Sequence, residues 1–284
     1  LDRGMIRARA RRLRGASVYL DVVSVGATIQ VMLAASLAEG TTVIQNCARE
    51  PHVVAVANFI NACGGKVSGA GTDTIRVRGV DRLTGTVQTV IPDDIEAGTW
   101  MMAAVMTGGD VTLQNVIPTH LTPIMAKLRE AGAEVYEMGD AVRVVGTGRP
   151  RAVNVKTLPY PGFPTDAQSQ MTALLSLADG TSYVTETLYE DRFRFVPELV
   201  RMGANTRVEG RTAIVKGVER LYGAPVEATD IRAGAALILA GLAAEGETTI
   251  YGLEHVQRGY EKLEQKLLAL GAQVQLERQG VAVG

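Results

Sequence analysis

The sequence predicts an α/β protein assembled from four successive copies of one βαβαββ unit. Three observations carry that expectation. A small-residue turn ahead of a strand recurs as Glu39-Gly40-Thr41, Gly108-Gly109-Asp110, Asp179-Gly180-Thr181 and Glu245-Gly246-Glu247, its second-position glycines 69, 71 and 66 residues apart. A glycine that closes a helix before a short strand recurs at Gly65, Gly132, Gly203 and Gly271, in steps of 67, 71 and 68. Between these markers, helix-period and strand-period apolar patterns follow one another in the same order. The units run 16–80, 82–147, 150–218 and 220–284.

The last unit gives the order of elements. Residues 226–229 read as a strand, 233–244 as an apolar helix and 248–251 as a second strand. A helix over 260–270 follows, with Leu263, Leu267, Leu268 and Leu270 apolar, and strands at 273–276 and 281–283 close the unit. The first helix of each unit opens at an aligned turn, beginning at Val22, Asp94, Asp166 and Asp230. Three of these are Asp, whose carboxylate accepts the orphan N–H groups of a helix start. The second helix follows a polar loop at Arg49-Glu50, Thr119-His120, Glu190-Asp191-Arg192 and residues 255–258. A unit of this length is a two-layer block whose apolar helix faces must meet those of its sisters, and three blocks with helices inward would close a domain. Residues 1–15, with six arginines by position 14, read as the tail strand of a preceding unit, so the chain is expected to begin inside a longer protein.

Composition removes several functions. There are 284 residues, with 29 Lys and Arg against 30 Asp and Glu, 46% hydrophobic and 21% charged, which describes a globular chain and argues against a nucleic-acid binder. The longest apolar run, residues 233–244, is too short to span a bilayer, so no membrane partner is expected. Cys47 and Cys63 form no CxxC pair and read as buried small hydrophobes in a reducing, cytoplasmic setting. No GxxxxGK[ST], GxSxG or HExxH string occurs, and His52, His120 and His255 lack metal-ligand spacing; neither metal nor organic cofactor is expected.

What remains is a set of acids and cations at helix starts. Asp166 and Asp230 are the candidate acids, and residue type alone does not separate a cap from a functional carboxylate. Arg192, Arg232 and Arg258 recur at equivalent rims of successive units, where a guanidinium adds to the positive helix end and can hold phosphate or carboxylate. Ser24, Val25 and Gly26 open a helix whose N–H groups could approach a diphosphate.

Seven stretches resemble one family, the UDP-N-acetylglucosamine 1-carboxyvinyltransferases. They are LDVVSVGAT from Leu20, AREP from Ala48, IPDDIEAGT from Ile91, FPTD from Phe163, TETLYEDR from Thr185, ATDIRA from Ala228 and RGYE from Arg258. The resemblance implies an inside-out α/β barrel of two domains, with residues 1–91 finishing the first and 92–284 forming most of the second. It implies transfer of the enolpyruvyl group of phosphoenolpyruvate to the 3-hydroxyl of UDP-N-acetylglucosamine with release of phosphate. That is a step of peptidoglycan synthesis, and so of cell-wall biogenesis, cell shape and division. By the same resemblance Asp166 is the general base on the sugar hydroxyl and Arg258 is catalytic at the enolpyruvate site. Val22, Val23, Ser24, Val25 and Gly26 hold the UDP part, Leu188 contacts the sugar nucleotide through its backbone, and Tyr189 adjoins it. Arg192, Asp230 and Arg232 line the same cleft. The complete protein is expected to be a monomer without cofactor. Val22 stands where many members carry Lys, and the family's Lys-Asn pair and reactive loop fall upstream of Leu1. The nearest alternatives are the shikimate-branch enolpyruvyl transferase and a non-catalytic sugar-nucleotide or anion-binding module.

Overall fold

A computed structural model describes residues 8–277 of the chain. They divide into two compact units, one reaching to residue 92 and including 159–162, the other made of 93–158 and 163 onward.

The first unit is a single βαβαββ block: β1 (Ser17–Tyr19), α1 (Val25–Ala35), β2 (Thr41–Gln45), α2 (Pro51–Ala62), β3 (Lys66–Ser68) and β4 (Thr74–Arg78). Its sheet has the order β1-β2-β4-β3, with β1 parallel to β2 and the closing hairpin antiparallel. Alternation sends Ile44, Val67, Ile75 and Val77 to the buried face, where Met32, Val53, Ala57 and Ile60 of the helices meet them. Cys47 and Cys63 are both buried. Although α1 is strongly apolar, it buries only Thr28, Met32 and Ala35.

The second unit contains α3 (Asp94–Thr107), β5 (Asp110–Leu113), α4 (Thr122–Glu130), β6 (Glu134–Met138) and β7 (Ala141–Val145). Next come β8 (Val155–Lys156), α5 (Gln168–Leu175), β9 (Thr181–Thr185), α6 (Val196–Arg201), β10 (Asn205–Glu209) and β11 (Thr212–Lys216). It ends with β12 (Pro225–Glu227), α7 (Ile231–Ala243), β13 (Thr249–Tyr251), α8 (Glu254–Gln257) and α9 (Leu263–Ala269). Helices α3, α5 and α7 pack on one another at the centre, with Met101, Met102, Met171, Leu174 and Leu237 fully buried. The sheets β5-β7-β6, β8-β9-β11-β10 and β12-β13 turn one face to that core and the other to water, as Val142, Val144, Val184, Ala213 and Val215 illustrate. Helices inside and sheets outside is the inside-out α/β arrangement the sequence predicts. Every residue of α5 is buried, including Gln168, Ser169, Gln170 and Thr172.

The blocks depart from the expected pattern in particular places. Among the described residues the second block has no opening strand: residues 83–92 form none, and Val87 is 99% exposed. In the last block the helix expected over 260–270 is broken. Lys262, at the N-cap of α9, adopts a left-handed φ of 50°, so the helix begins only at Leu263; Tyr260 sits in the bend between α8 and α9, and α9 buries Leu263 and Leu267 while Leu268 and Leu270 stay exposed. Residues 273–276 are not a strand, because no described strand lies alongside to pair with them; 281–283 fall outside the described residues, as do 1–7 of the expected tail strand. Within 8–15 the only pairing is an isolated bridge of Arg14 to Glu39. The cap of α3 is Asp93, not Asp94, and the left-handed residue after α2 is Gly64, with φ 90°, rather than Gly65.

The first sequence marker is a left-handed turn: Gly40, Gly180 and Gly246 have φ of 93°, 109° and 89°, and in the second block Gly108 takes that place at 64°. A further glycine packs on each of the first three turns. Gly79, Gly146 and Gly217, each just past the last strand of its block, donate their N–H to Gly40, Gly109 and Gly180, all at 2.9 Å. A Cβ at Gly79 would lie 1.6 Å from the Ala38 carbonyl oxygen, at Gly146 2.8 Å from that of Ala104, and at Gly217 1.7 Å from that of Ala178. The strand end and the helix end are in backbone contact there, and no side chain fits between them.

Candidate active site

The site residues of the second unit gather where α5 and α7 begin. Buried Phe163 and half-buried Pro164 lead into a 3-10 turn, Thr165–Ala167, so Asp166 precedes α5 without capping it. Its carboxylate is turned outward instead. Oδ1 accepts from Arg192 Nη2 at 2.5 Å and Oδ2 from Arg232 Nη2 at 2.8 Å. The Asp166 side chain is 40% exposed, and those of Arg192 and Arg232 are 23% and 18% exposed. A carboxylate offers about four lone-pair directions, so two charge-assisted bonds leave it able to accept a hydroxyl from the open side.

Each arginine has its own support. Asp230 caps α7, its Oδ1 accepting from Arg232 N at 2.8 Å and Ala233 N at 3.0 Å, which fixes the backbone that carries Arg232. That capping geometry is what distinguishes Asp230 from Asp166. Arg192 lies in the loop after β9 with its guanidinium 5.0 Å from the Tyr189 ring centroid, a cation–π contact. Burial opposes the charge on Arg232, but Asp166 and the Tyr260 hydroxyl outweigh it, and its pKa stands above the ordinary guanidinium value.

A buried polar cluster lies under this surface. Tyr260 Oη is 2.9 Å from Thr99 Oγ1, and Gln170 Nε2 donates to Thr99 Oγ1 at 3.2 Å and to Tyr260 Oη at 3.3 Å. Thr99 donates onward to the Ile95 carbonyl at 2.8 Å, while Gln170 Oε1 is buried without a partner. Thr99 is near the start of α3, Gln170 near that of α5 and Arg232 near that of α7. The positive ends of the three inner helices therefore converge on one patch, the polarity that suits anions.

The remaining expected residues are distributed otherwise. Leu188 and Tyr189 are exposed beside Arg192, and their N–H groups are taken by Glu186 Oε1 at 2.8 and 3.1 Å, which leaves a ligand their carbonyls and side chains. Arg258 follows α8, exposed, and among the described residues its side chain joins none of these contacts. Val22, Val23, Ser24, Val25 and Gly26 belong to the first unit: Val22 is exposed and Ser24 caps α1, its Oγ accepting from Ala27 N at 3.2 Å. Sequence reasoning missed Glu186, Thr165, Thr99, Gln170 and Tyr260. For Glu186 a signal existed: it continues the inward alternation of Ser182 and Val184 along β9, an odd place for an acid.

Convergent helix ends and a carboxylate held by two guanidiniums on an inside-out fold suit an enolpyruvyl transferase, and the family match shows that the chain belongs to that family. Residues 4–267 match the family model described as EPSP synthase (3-phosphoshikimate 1-carboxyvinyltransferase). Within the family its similarity lies with the UDP-N-acetylglucosamine 1-carboxyvinyltransferases. It is 89% identical over 283 residues to UDP-N-acetylglucosamine 1-carboxyvinyltransferase 3 of Symbiobacterium thermophilum, covering 100% of this chain and 67% of the relative. It is 58% identical over 274 residues to the protein of the same name from Caldanaerobacter subterraneus subsp. tengcongensis, covering 96% of this chain and 66% of that one. Among solved structures, the enolpyruvyl transferase NikO from Streptomyces tendae superposes with a TM-score of 0.84 at 30% identity, over 93% of this chain and 66% of NikO. EPSP synthase from Acinetobacter baumannii, at 22% identity and a TM-score of 0.72 over 94% of this chain and 64% of that one, shares the fold. The chain spans about two thirds of the length of the relatives it matches.

Proposed function

We propose that this chain carries the acid and anion-holding residues for transfer of the enolpyruvyl group of phosphoenolpyruvate to the 3-hydroxyl of UDP-N-acetylglucosamine. In that reaction the hydroxyl oxygen bonds to C2 of phosphoenolpyruvate, its proton passes to Asp166, and C3 gains a proton. The tetrahedral adduct then loses phosphate, with a C3 proton, to restore the enol ether. Arg192 and Arg232 hold Asp166 in place and stabilise negative charge beside it, and Arg258 contributes a further cation to phosphoenolpyruvate. A product of this kind feeds a pathway that builds cell-wall polymer, within the cytoplasm.

The observation that carries the reading is Asp166 bonded at both oxygens by Arg192 and Arg232 on a patch where three helix starts meet. The shared name of the relatives at 89% and 58% identity supplies the substrate class. The test is Asp166→Asn in this chain joined to the part of the Symbiobacterium thermophilum relative that the alignment leaves uncovered. Turnover should drop by about 10²–10⁴ with only a modest change in UDP-N-acetylglucosamine affinity. A variant keeping more than about a tenth of its turnover would reduce Asp166 to a positioning residue.

A further inference from the structure

We infer that Glu186, which lies in none of the expected site positions, is a positioning residue that locks the Asp166 turn and the Leu188–Tyr189 backbone into one body. Glu186 is 1% exposed. Its Oε1 accepts from Thr157 Oγ1 at 2.9 Å, Leu188 N at 2.8 Å and Tyr189 N at 3.1 Å, and its Oε2 accepts from Thr165 Oγ1 at 2.7 Å. Among the described residues no lysine, arginine or histidine bonds it, so the buried carboxylate is satisfied there by neutral donors.

The two oxygens serve different parts of the site. Oε2 grips the residue immediately before Asp166, in the 3-10 turn that aims the acid. Oε1 gathers the loop that presents Leu188, Tyr189 and then Arg192, and it does so together with Thr157, whose Oγ1 accepts from Thr187 N at 2.9 Å and whose carbonyl accepts from Thr187 Oγ1 at 2.5 Å. A core filler in this place would need no polar atoms. A group with four converging donors fixes the distance between the acid and the loop, and angstrom-scale misplacement of such groups costs rate out of proportion to stability.

The inference rests on the proposed transfer reaction, and its test uses variants that separate the two arms. In the joined protein described above, Thr165→Val removes only the bond to Oε2. It should lower kcat about tenfold with KM for UDP-N-acetylglucosamine unchanged. Thr157→Val weakens the loop arm, and should raise that KM about tenfold with a smaller change in kcat. Glu186→Ala should lose both, and Glu186→Gln should recover part of each, since one carbonyl oxygen remains to accept. If Glu186→Ala fails to fold, the two threonine variants still decide the matter. Equal small changes in kcat and KM for both, in step with a fall in Tm, would overturn the positioning role and leave a structural one. Unmodified protein without enolpyruvyl transfer would instead sink the functional reading, and the inference with it.

Discussion

Asp166 and Arg232 stand 66 residues apart, in successive repeats, yet Oδ2 of one accepts from Nη2 of the other at 2.8 Å. The contact ties the start of α5 to the start of α7, so it belongs to the fold as well as to the chemistry. Its geometry is intermediate between an exposed pair, worth about 0.2–1 kcal/mol, and a buried one, whose disruption costs about 3–5 kcal/mol. Arg232→Ala should destabilise the chain by about 1–2 kcal/mol in urea unfolding. Arg232→Lys should cost less, because the charge is kept while the planar fork is lost. Equal stability in all three proteins would mean that the pair contributes nothing to folding.

The cluster beneath gives an asymmetric prediction. Tyr260→Phe deletes the hydroxyl shared by Thr99, Gln170 and Arg232, and should cost about 1–2 kcal/mol. Gln170→Met replaces a side chain whose Oε1 is already unpaired, so it should change stability by less than about 1 kcal/mol. Chemical denaturation of both variants checks the order. A Gln170→Met loss larger than that of Tyr260→Phe would contradict the bonding described here.

The thiols should be silent in the native state. Burial pushes the Cys47 thiol above its ordinary pKa, an effect that outweighs the backbone bond from Ile75, and Cys63 is buried as well. A raised pKa means less thiolate at any given pH, so iodoacetamide should label neither residue appreciably at pH 8, and Cys47 labelling should rise only above the usual thiol range. Both should react at once in denaturant. Fast native labelling that abolishes UDP-N-acetylglucosamine binding would make one of them a site residue.

Gly217→Ala and Gly79→Ala force a methyl into a helix-end carbonyl, and each should cost about 1–3 kcal/mol or more, read as a lower Tm. Gly85→Ala is the control: its added Cβ would meet nothing within 4 Å, and its stability should hold or rise by about 0.4–1 kcal/mol. Equal effects at all three positions would remove the backbone contact as the constraint at Gly79 and Gly217.

What was legible follows from where each constraint resides. The glycine spacing could be read because the turns at Gly40, Gly180 and Gly246, and the helix ends at Gly132, Gly203 and Gly271, take a left-handed φ that favours glycine and so mark the sequence itself. The missing strand of the second block could not. Residues 85–90 have strand-forming composition, but a strand exists only beside a neighbour, and among the described residues Val87 has none. The acids and arginines stood out by type, although the difference between Asp166 and Asp230 lies in one turn of 3-10 geometry that composition does not encode. The Thr99–Gln170–Tyr260 cluster was invisible because its members come from three repeats, 71 and 90 residues apart, and meet only once the inner helices pack.

A chain that repeats one block invites its sheets to fuse edge to edge, within a molecule or between molecules. The strand orders found here guard against that on both sides. At one edge lie β3, β6 and β10, which expose Lys66, Glu134 and Glu137, and Arg207 and Glu209, charges that a docking strand would have to strip of water. At the other edge β1, β5, β8 and β12 are only three, four, two and three residues long, and β13, which also ends its sheet among the described residues, has three, too short to template a partner. Duplication of the block therefore adds a separate sheet each time and does not extend an existing one. The same architecture that lengthens by copying itself thereby offers a partner strand only short or charged edges among the described residues.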